Sequence, residues 1–169
     1  DWSPLSWFTV AGNAALSQNK IKDFTEYVDN WDGDAQTQHY GKSTLSFSPA
    51  VILNGFLNFH YAGFDATWHT NFVGRQYLDN TKDRSLPCYS QTDINMNYTL
   101  DTKKLSLGVK QVVFGLSLNN IFDRHYASSG WVYSAVSQKN GYDLDNRYYQ
   151  IGFIPMAGFT AMGNITLRF

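Results

Sequence analysis

The sequence predicts an all-β fold, a run of antiparallel strands forming part of a transmembrane β-barrel, and three observations predict it. Six segments alternate apolar and polar residues with a period of two, the mark of a strand whose two faces meet different surroundings. The apolar faces so read carry no Asp, Glu, Lys or Arg, whereas the opposite faces are rich in Asn, Thr, Asp and Arg. The connections alternate between long and short, as they do when strands cross a membrane with short turns on one side and long loops on the other.

Taken in order, the first strand spans residues 7–19, with Phe8, Val10, Ala14 and Leu16 on its apolar face, and the preceding DWSPLSW is read as a short turn leading into it. Residues 51–61 place Val51, Leu53, Gly55, Leu57, Phe59 and Tyr61 on one side and Ile52, Asn54, Phe56, Asn58 and His60 on the other. Ala62 and Gly63 then suit a two-residue turn that closes a tight hairpin. In residues 64–77, Phe64, Ala66, Trp68 and Phe72 oppose Asp65, Thr67, His69, Asn71 and Arg75. Residues 90–100 turn Ile94, Met96, Tyr98 and Leu100 away from Gln91, Asp93, Asn95, Asn97 and Thr99. A weaker run over about 105–120 aligns Val112, Phe114, Leu116 and Leu118, after a short turn at 101–104. The last segment, 159–169, is the clearest: Phe159, Ala161, Gly163, Ile165, Leu167 and Phe169 form a wholly apolar face. The stretches 20–50, 78–89 and 121–157 are read as long polar loops. Aromatic residues fall near strand ends (Trp7, Phe8, Tyr61, Phe64, Tyr77, Tyr89, Phe159 and Phe169), where interfacial girdles require them.

Composition agrees. Of 169 residues, 17% are aromatic and only 16% charged, less charge than an ordinary soluble domain carries. A net charge of −1 leaves no basic stripe for nucleic acid. The mean hydropathy of −0.35 does not argue against a membrane barrel, whose strands are apolar on one face only. The chain has a single cysteine, Cys88, so neither an intrachain disulfide nor a Cys-x-x-Cys site can form, and it is read as an incidental loop thiol.

Three segments resemble the closing part of TonB-dependent outer-membrane receptors, in the style of the Bacteroidetes. NFVGRQYLDNT (71–81) resembles the strand that rises out of the membrane into an extracellular loop. GLSLNNIFDRHY (115–126) is similar to the family's N-N-L-F-[ND]-x-x-Y signature near the penultimate strand, and FTAMGNITLRF (159–169) resembles its aromatic-ended final strand. Residues 153–158 depart from the family's Tyr-Pro-Gln-Ala-like string. The resemblance implies a 22-stranded barrel with a plugged lumen, roughly 220 residues of strand at about ten each, of which this chain would be the C-terminal portion. It also implies an import function for a ferric siderophore, haem, cobalamin or glycan. The partners it implies are the remaining strands, a plug domain, the TonB complex reached through an absent N-terminal part, the outer-membrane assembly machinery and lipid. Phe169, Leu167 and Ile165 would be the assembly signal. The implied location is the outer membrane of a Gram-negative bacterium, and the chain is expected to be a fragment.

Candidate sites follow from the faces. His60, Asp65, His69, Arg75, Asp93 and Arg168 are expected to point into the lumen, with His60 opposite Asp65 and Phe56 opposite His69 across the hairpin. A metal needs three or four converging ligands, so these are read as a polar wall, with no metal and no cofactor. No nucleophile or phosphate-binding motif occurs, so the chain is not read as an enzyme. Trp131, Tyr133, Tyr142, Arg147, Tyr148 and Tyr149 cluster in the long penultimate loop, where aromatic planes and an Arg can hold a ligand. The same residues also suit an upper girdle or loop packing. Asp29, Asp32, Asp34, Asp143 and Asp145 lack the full spacing of a calcium loop and are read as solvated. Two other functions fit the strand pattern: a passive porin-like or structural barrel, and a soluble carbohydrate-binding β-sandwich.

Overall fold

The structure is a computed structural model that describes residues 1–102 and 108–169. Among the described residues it is all-β, with antiparallel pairings except for a short parallel contact inside a smaller four-stranded sheet. The strands are β1 (Trp2–Leu5), β2 (Phe8–Leu16), β3 (Lys20–Asn30), β4 (Gln36–Thr44), β5 (Val51–Tyr61), β6 (Phe64–Val73), β7 (Gln76–Tyr77), β8 (Ser85–Leu86), β9 (Tyr89–Asp101), β10 (Gln111–Asn119), β11 (Ala127–Val136), β12 (Tyr148–Pro155) and β13 (Thr160–Arg168). Among the described residues, a 7-stranded sheet has the order β1-β2-β5-β6-β9-β10-β13, with β1 and β13 at its edges.

The six alternating segments become β2, β5, β6, β9, β10 and β13, neighbours in the order of the sequence. Their apolar faces fall in register across the ladders. Val10 lies opposite Leu57, Leu57 opposite Trp68, and Trp68 opposite Ile94. Ile94 lies opposite Leu118, and Leu118 opposite Ala161. A second row joins Phe64, Tyr98, Phe114 and Ile165. A slip of one residue in any pairing would move a whole strand's apolar set to the other side. The resulting face is bare: Leu57 is 42% exposed, Phe114 45% and Ile165 67%. At its lower end Trp7 packs edge-on against Phe59 at 5.3 Å and Phe59 against Phe64 at 6.0 Å.

The opposite face is a hydrogen-bonded polar wall. Asn54 is its hub, donating to Asn13 Oδ1 at 3.0 Å and accepting at Oδ1 from Asn71 at 2.9 Å, with His69 Nε2 at 3.1 Å from the same oxygen. Thr67 donates to Asn58 at 2.9 Å. The expected cross-strand pairs form: His60 contacts Asp65, and Phe56 stacks on His69 with centroids 4.4 Å apart. Between them Ala62 (φ 50°) and Gly63 (φ 82°) make the two-residue turn, both left-handed as a type I′ hairpin requires. A Cβ on Gly63 would meet the Thr99 carbonyl oxygen at 2.7 Å, which makes glycine necessary there.

Four expectations need correction. DWSPLSW is a seventh strand, not only a turn: β1 pairs with β2, placing Trp2 opposite Val10 and Leu5 opposite Phe8. The run 64–77 breaks after Val73, where the Gly74 amide turns to the Val51 carbonyl at 2.8 Å, and Gln76–Tyr77 pairs with Ser85–Leu86 instead. The stretches 20–50 and 121–157 are not loops throughout; β3 pairs with β4, and β11 with β12, as outer hairpins. Their half-buried faces carry polar residues such as Glu26 and Gln38, so they lack the apolar–polar contrast by which the others are recognised. The fourth correction concerns Asp32, taken up below. The weaker run expected over about 105–120 is met by β10 from Gln111 onward; residues 105–107 and half of the expected turn at 101–104 lie outside the described residues.

Apart from Val73 at the end of β6, the buried apolar side chains of the described residues are not in the wall. Val28, Leu78, Leu86, Ala135 and Val136 gather from β3, the β7–β8 strap and β11, forming a small core among the outer elements. There β11 runs parallel to β3 for two residue pairs, Ala135 with Asp29 and Val136 with Asn30.

Candidate functional site

The corner that raises the β11–β12 hairpin off the wall is built by the NNIFDRHY segment. Asn120 is buried and left-handed (φ 51°), a conformation asparagine tolerates better than most residues. Its side chain donates to the carbonyls of Arg124 at 2.9 Å and Ala157 at 3.0 Å, and accepts from the Arg124 amide at 3.0 Å. Its own amide donates to Asp93 Oδ1 at 2.8 Å. Asp123 Oδ1 receives the Phe159 amide at 2.8 Å, and Phe122 packs on Trp68 at 6.1 Å. One Asn and one Asp therefore tie β9, β10 and the entry to β13 into a single turn, and Asp93 serves this corner as well as the polar face.

Above this corner the two hairpins meet. Arg147, buried at the start of β12, donates to Glu26 Oε2 on β3 at 2.8 Å and also contacts Gln38 and Tyr40 on β4. Tyr40 donates to the same Glu26 oxygen at 3.1 Å and stacks on Phe24. Burial pushes the Arg147 pKa down, but the hydrogen bond and charge of Glu26 outweigh it, and the net shift is upward. The guanidinium stays charged. Burial, then the Glu26 charge, raises the Tyr40 hydroxyl, so it stays a donor.

A second contact lies at the hairpin tips. Trp31 donates from Nε1 to Tyr133 Oη at 3.1 Å, and its ring meets Tyr148 at 5.0 Å and Tyr142 at 6.4 Å. Asp32 is not solvated as expected: it accepts from the Lys139 amide and Ser137 Oγ, both at 3.1 Å, with Lys139 Nζ at 3.7 Å. The Lys139 amide chiefly, against some burial, holds its carboxyl below the usual range. Asp143 caps its own turn by accepting the amides of Asp145 and Asn146.

Tyr149 joins the second hairpin to the strap. Its hydroxyl donates to Asp83 Oδ2 at 2.9 Å, and the Arg84 guanidinium lies 4.1 Å from its ring centroid. Burial and then Asp83 push its pKa up to about 12. A folded value above the ordinary one means this contact stabilises fully below the usual tyrosine range near pH 10 and is lost as pH rises through about 12. Labelling tyrosine at Cζ and following Tyr149 by NMR is expected to show titration near that limit, moving down in Asp83→Asn. No movement would mean Asp83 contributes nothing.

The six residues singled out from the sequence thus divide. Tyr133, Tyr142 and Tyr148 gather on Trp31; Arg147 is enclosed in a clamp; Tyr149 faces the strap; Trp131 lies across Gly152, 46% exposed. The sequence reading missed Trp31, Glu26, Gln38, Tyr40, Asp83 and Arg84, which sit in segments read as loops. A tryptophan before Asp-Gly-Asp at a loop tip was the one available signal. Between hairpins and strap lies a polar cleft of about 360 Å³ bounded by Gln38, Tyr40, Asp83, Arg84, Asp145 and Tyr149. It offers donors, acceptors and one aromatic face, a set suited to holding a polar ligand.

Comparison with protein-family models gives no match, and no curated protein matches the sequence. Of the expected lumen residues, His60, Asp65 and His69 lie along the polar wall, and Arg168 Nη1 donates to Gln111 at 3.2 Å near its lower end. Arg75 stands at the upper rim beside the strap. Among the described residues no three His, Cys, Asp or Glu side chains converge as metal ligands. Ile165 and Leu167 stand on the bare face of edge strand β13, followed by Phe169, 76% exposed.

Proposed function

We propose that this chain is wall and outer-loop surface of a TonB-dependent outer-membrane receptor, the part of a plugged barrel through which a scarce nutrient is imported by energy-coupled transport. The observation that carries the membrane reading is the apolar face itself, continuous across six strands, in register, uncharged and uncovered. Exposed apolar patches of this extent mark an interaction surface, and lipid is the partner that a strand-wide apolar band fits. A soluble sandwich would lay a second sheet on that face; here the face is left exposed. The Asn, Thr and His face opposite suits contact with a polar plug. The edges at β1 and β13 would pair with the remaining strands, since an open edge is not tolerated in lipid. The transport reading rests on the resemblance of the strand and corner motifs to the family.

Two measurements test the two layers. Nitroxide labels scanned through Leu53–Phe59 in bilayers, with Cys88 replaced by Ser, are expected to alternate: oxygen-accessible at odd positions, accessible to a water-soluble relaxant at even ones. Uniform access to the aqueous reagent would sink the membrane wall. Growth of cells lacking the gene on limiting ferric siderophore, haem, cobalamin or glycan is expected to fail for one of them, and only where TonB is intact. Normal growth on all four would remove the importer and leave a passive barrel.

A further inference from the structure

At the upper rim of the wall, Lys20, Arg75 and Lys82 line one cleft of about 220 Å³ together with Ser17, Asn19 and Thr44. Three cations from three separate elements meet there: the start of β3, the break after β6 and the strap loop. No acidic residue lines the cleft. Lys20 Nζ lies 3.5 Å from Thr44 Oγ1, and neither Arg75 nor Lys82 forms an ion pair with an acid among the described residues. Of the two acids in the strap, Asp79 caps its own turn, accepting from Thr81 Oγ1 at 2.7 Å and from the amides of Thr81 and Lys82 at 3.0 Å, and Asp83 accepts from Tyr149 at 2.9 Å.

The β3–β4 ladder adds a second, independent sign. Lys22 lies directly opposite Lys42, two residues beyond the Lys20–Thr44 pair and on the same face. Like charges opposed across a ladder destabilise it. The nearby acids on this strand do not relieve them, because Asp23 is on the other face and pairs with His39 at 3.0 Å, and Glu26 is held by Arg147 at 2.8 Å. Lys20, Lys22, Lys42, Arg75 and Lys82 are five of the chain's 13 basic residues, collected on one rim of a molecule whose net charge is −1. The arrangement is unfavourable alone and becomes favourable when a multiply charged anion enters.

We propose that this cleft is a binding site for a phosphate-type oxyanion, with Arg75 as the planar two-pronged donor and Lys20 and Lys82 as flanking charges. The Thr44 hydroxyl, which accepts from Lys20, supplies a neutral donor at its wall. The phosphate can belong to a lipid headgroup at the membrane rim or to a free phosphorylated ligand. The site does not depend on the transport reading, and its failure would leave that reading untouched.

The test is calorimetric titration of the detergent-solubilised protein with three probes: inorganic phosphate, glucose 6-phosphate, and nonionic micelles doped with phosphatidylglycerol. Saturable binding of at least one is expected, weakening with salt and falling about tenfold or more in the Arg75→Gln, Lys82→Gln double variant. Both positions are exposed, so that variant keeps the fold, which circular dichroism checks. Lys139→Gln, at the hairpin tips, is expected to bind as the parent does. Preference for the micelles assigns the headgroup, and preference for the soluble probes assigns a free ligand. Saturation by no probe, or equal binding in the double variant, overturns the site.

Discussion

Leu57→Lys is expected to prevent stable insertion of the chain into a bilayer, whereas Asn58→Lys, one residue on, leaves insertion nearly intact. Leu57 sits in the row that runs from Val10 through Trp68, Ile94 and Leu118, well inside the apolar face. A lysine at such a depth costs about 2–4 kcal/mol in a membrane barrel, while a polar-face substitution tunes the interior without that penalty. Asn58 gives up one hydrogen bond, from Thr67 at 2.9 Å, worth about 1 kcal/mol. Folding into vesicles, followed by heat-modifiable gel migration, measures both. Equal behaviour of the two variants would mean that the faces do not meet different solvents.

Arg147→Met is expected to release the two outer hairpins from each other while the wall stays folded. The Arg147 side chain is 3% exposed and that of Glu26 17%, so removing the cation strands a largely buried carboxylate. Breaking such a pair costs about 3–5 kcal/mol. Amide exchange in β3, β4, β11 and β12 should quicken by about two orders of magnitude or more, with β5, β6 and β9 unchanged. Glu26→Gln combined with Arg147→Met should recover much of the loss, because the orphaned charge disappears with its partner. Failure of the double variant to recover would locate the effect in lost packing by the Arg stem.

The wall was legible because its two faces make opposite demands on successive residues: Leu57 beside Asn58, Ile94 beside Asn95. The hairpin at Ala62-Gly63 was legible from a two-residue gap between such runs, and the His60–Asp65 and Phe56–His69 pairs follow from it. The outer hairpins were not, since the half-buried face of β3 and β4 carries Glu26 and Gln38, polar residues satisfied by Arg147 from a distant segment, and so shows no apolar stripe. β1 is four residues long and interrupted by Pro4, below what periodicity can register. The contacts of Trp31 and Arg147 escaped for another reason. Their partners, Tyr133 and Glu26, lie 102 and 121 residues away in sequence, and no local pattern announces a contact of that span. Asn120 and Asp123 were visible only as part of a motif, whereas the structure gives them a cause: each satisfies a backbone group that the corner would otherwise leave without a partner.

The parallel bridge between β3 and β11 has a mechanical meaning for the wall beneath it. In the large sheet, β2 and β10, from which these two strands rise, are separated by β5, β6 and β9, four steps of about 4.8 Å each along the sheet. Their continuations are hydrogen-bonded neighbours, one step apart. An arc of about 19 Å at the base is thus spanned above by a far shorter chord, so the hairpins act as a tie-beam across a bow. Such a brace limits how far the strands below can flatten, and Arg147 and Trp31 fasten one hairpin to the other.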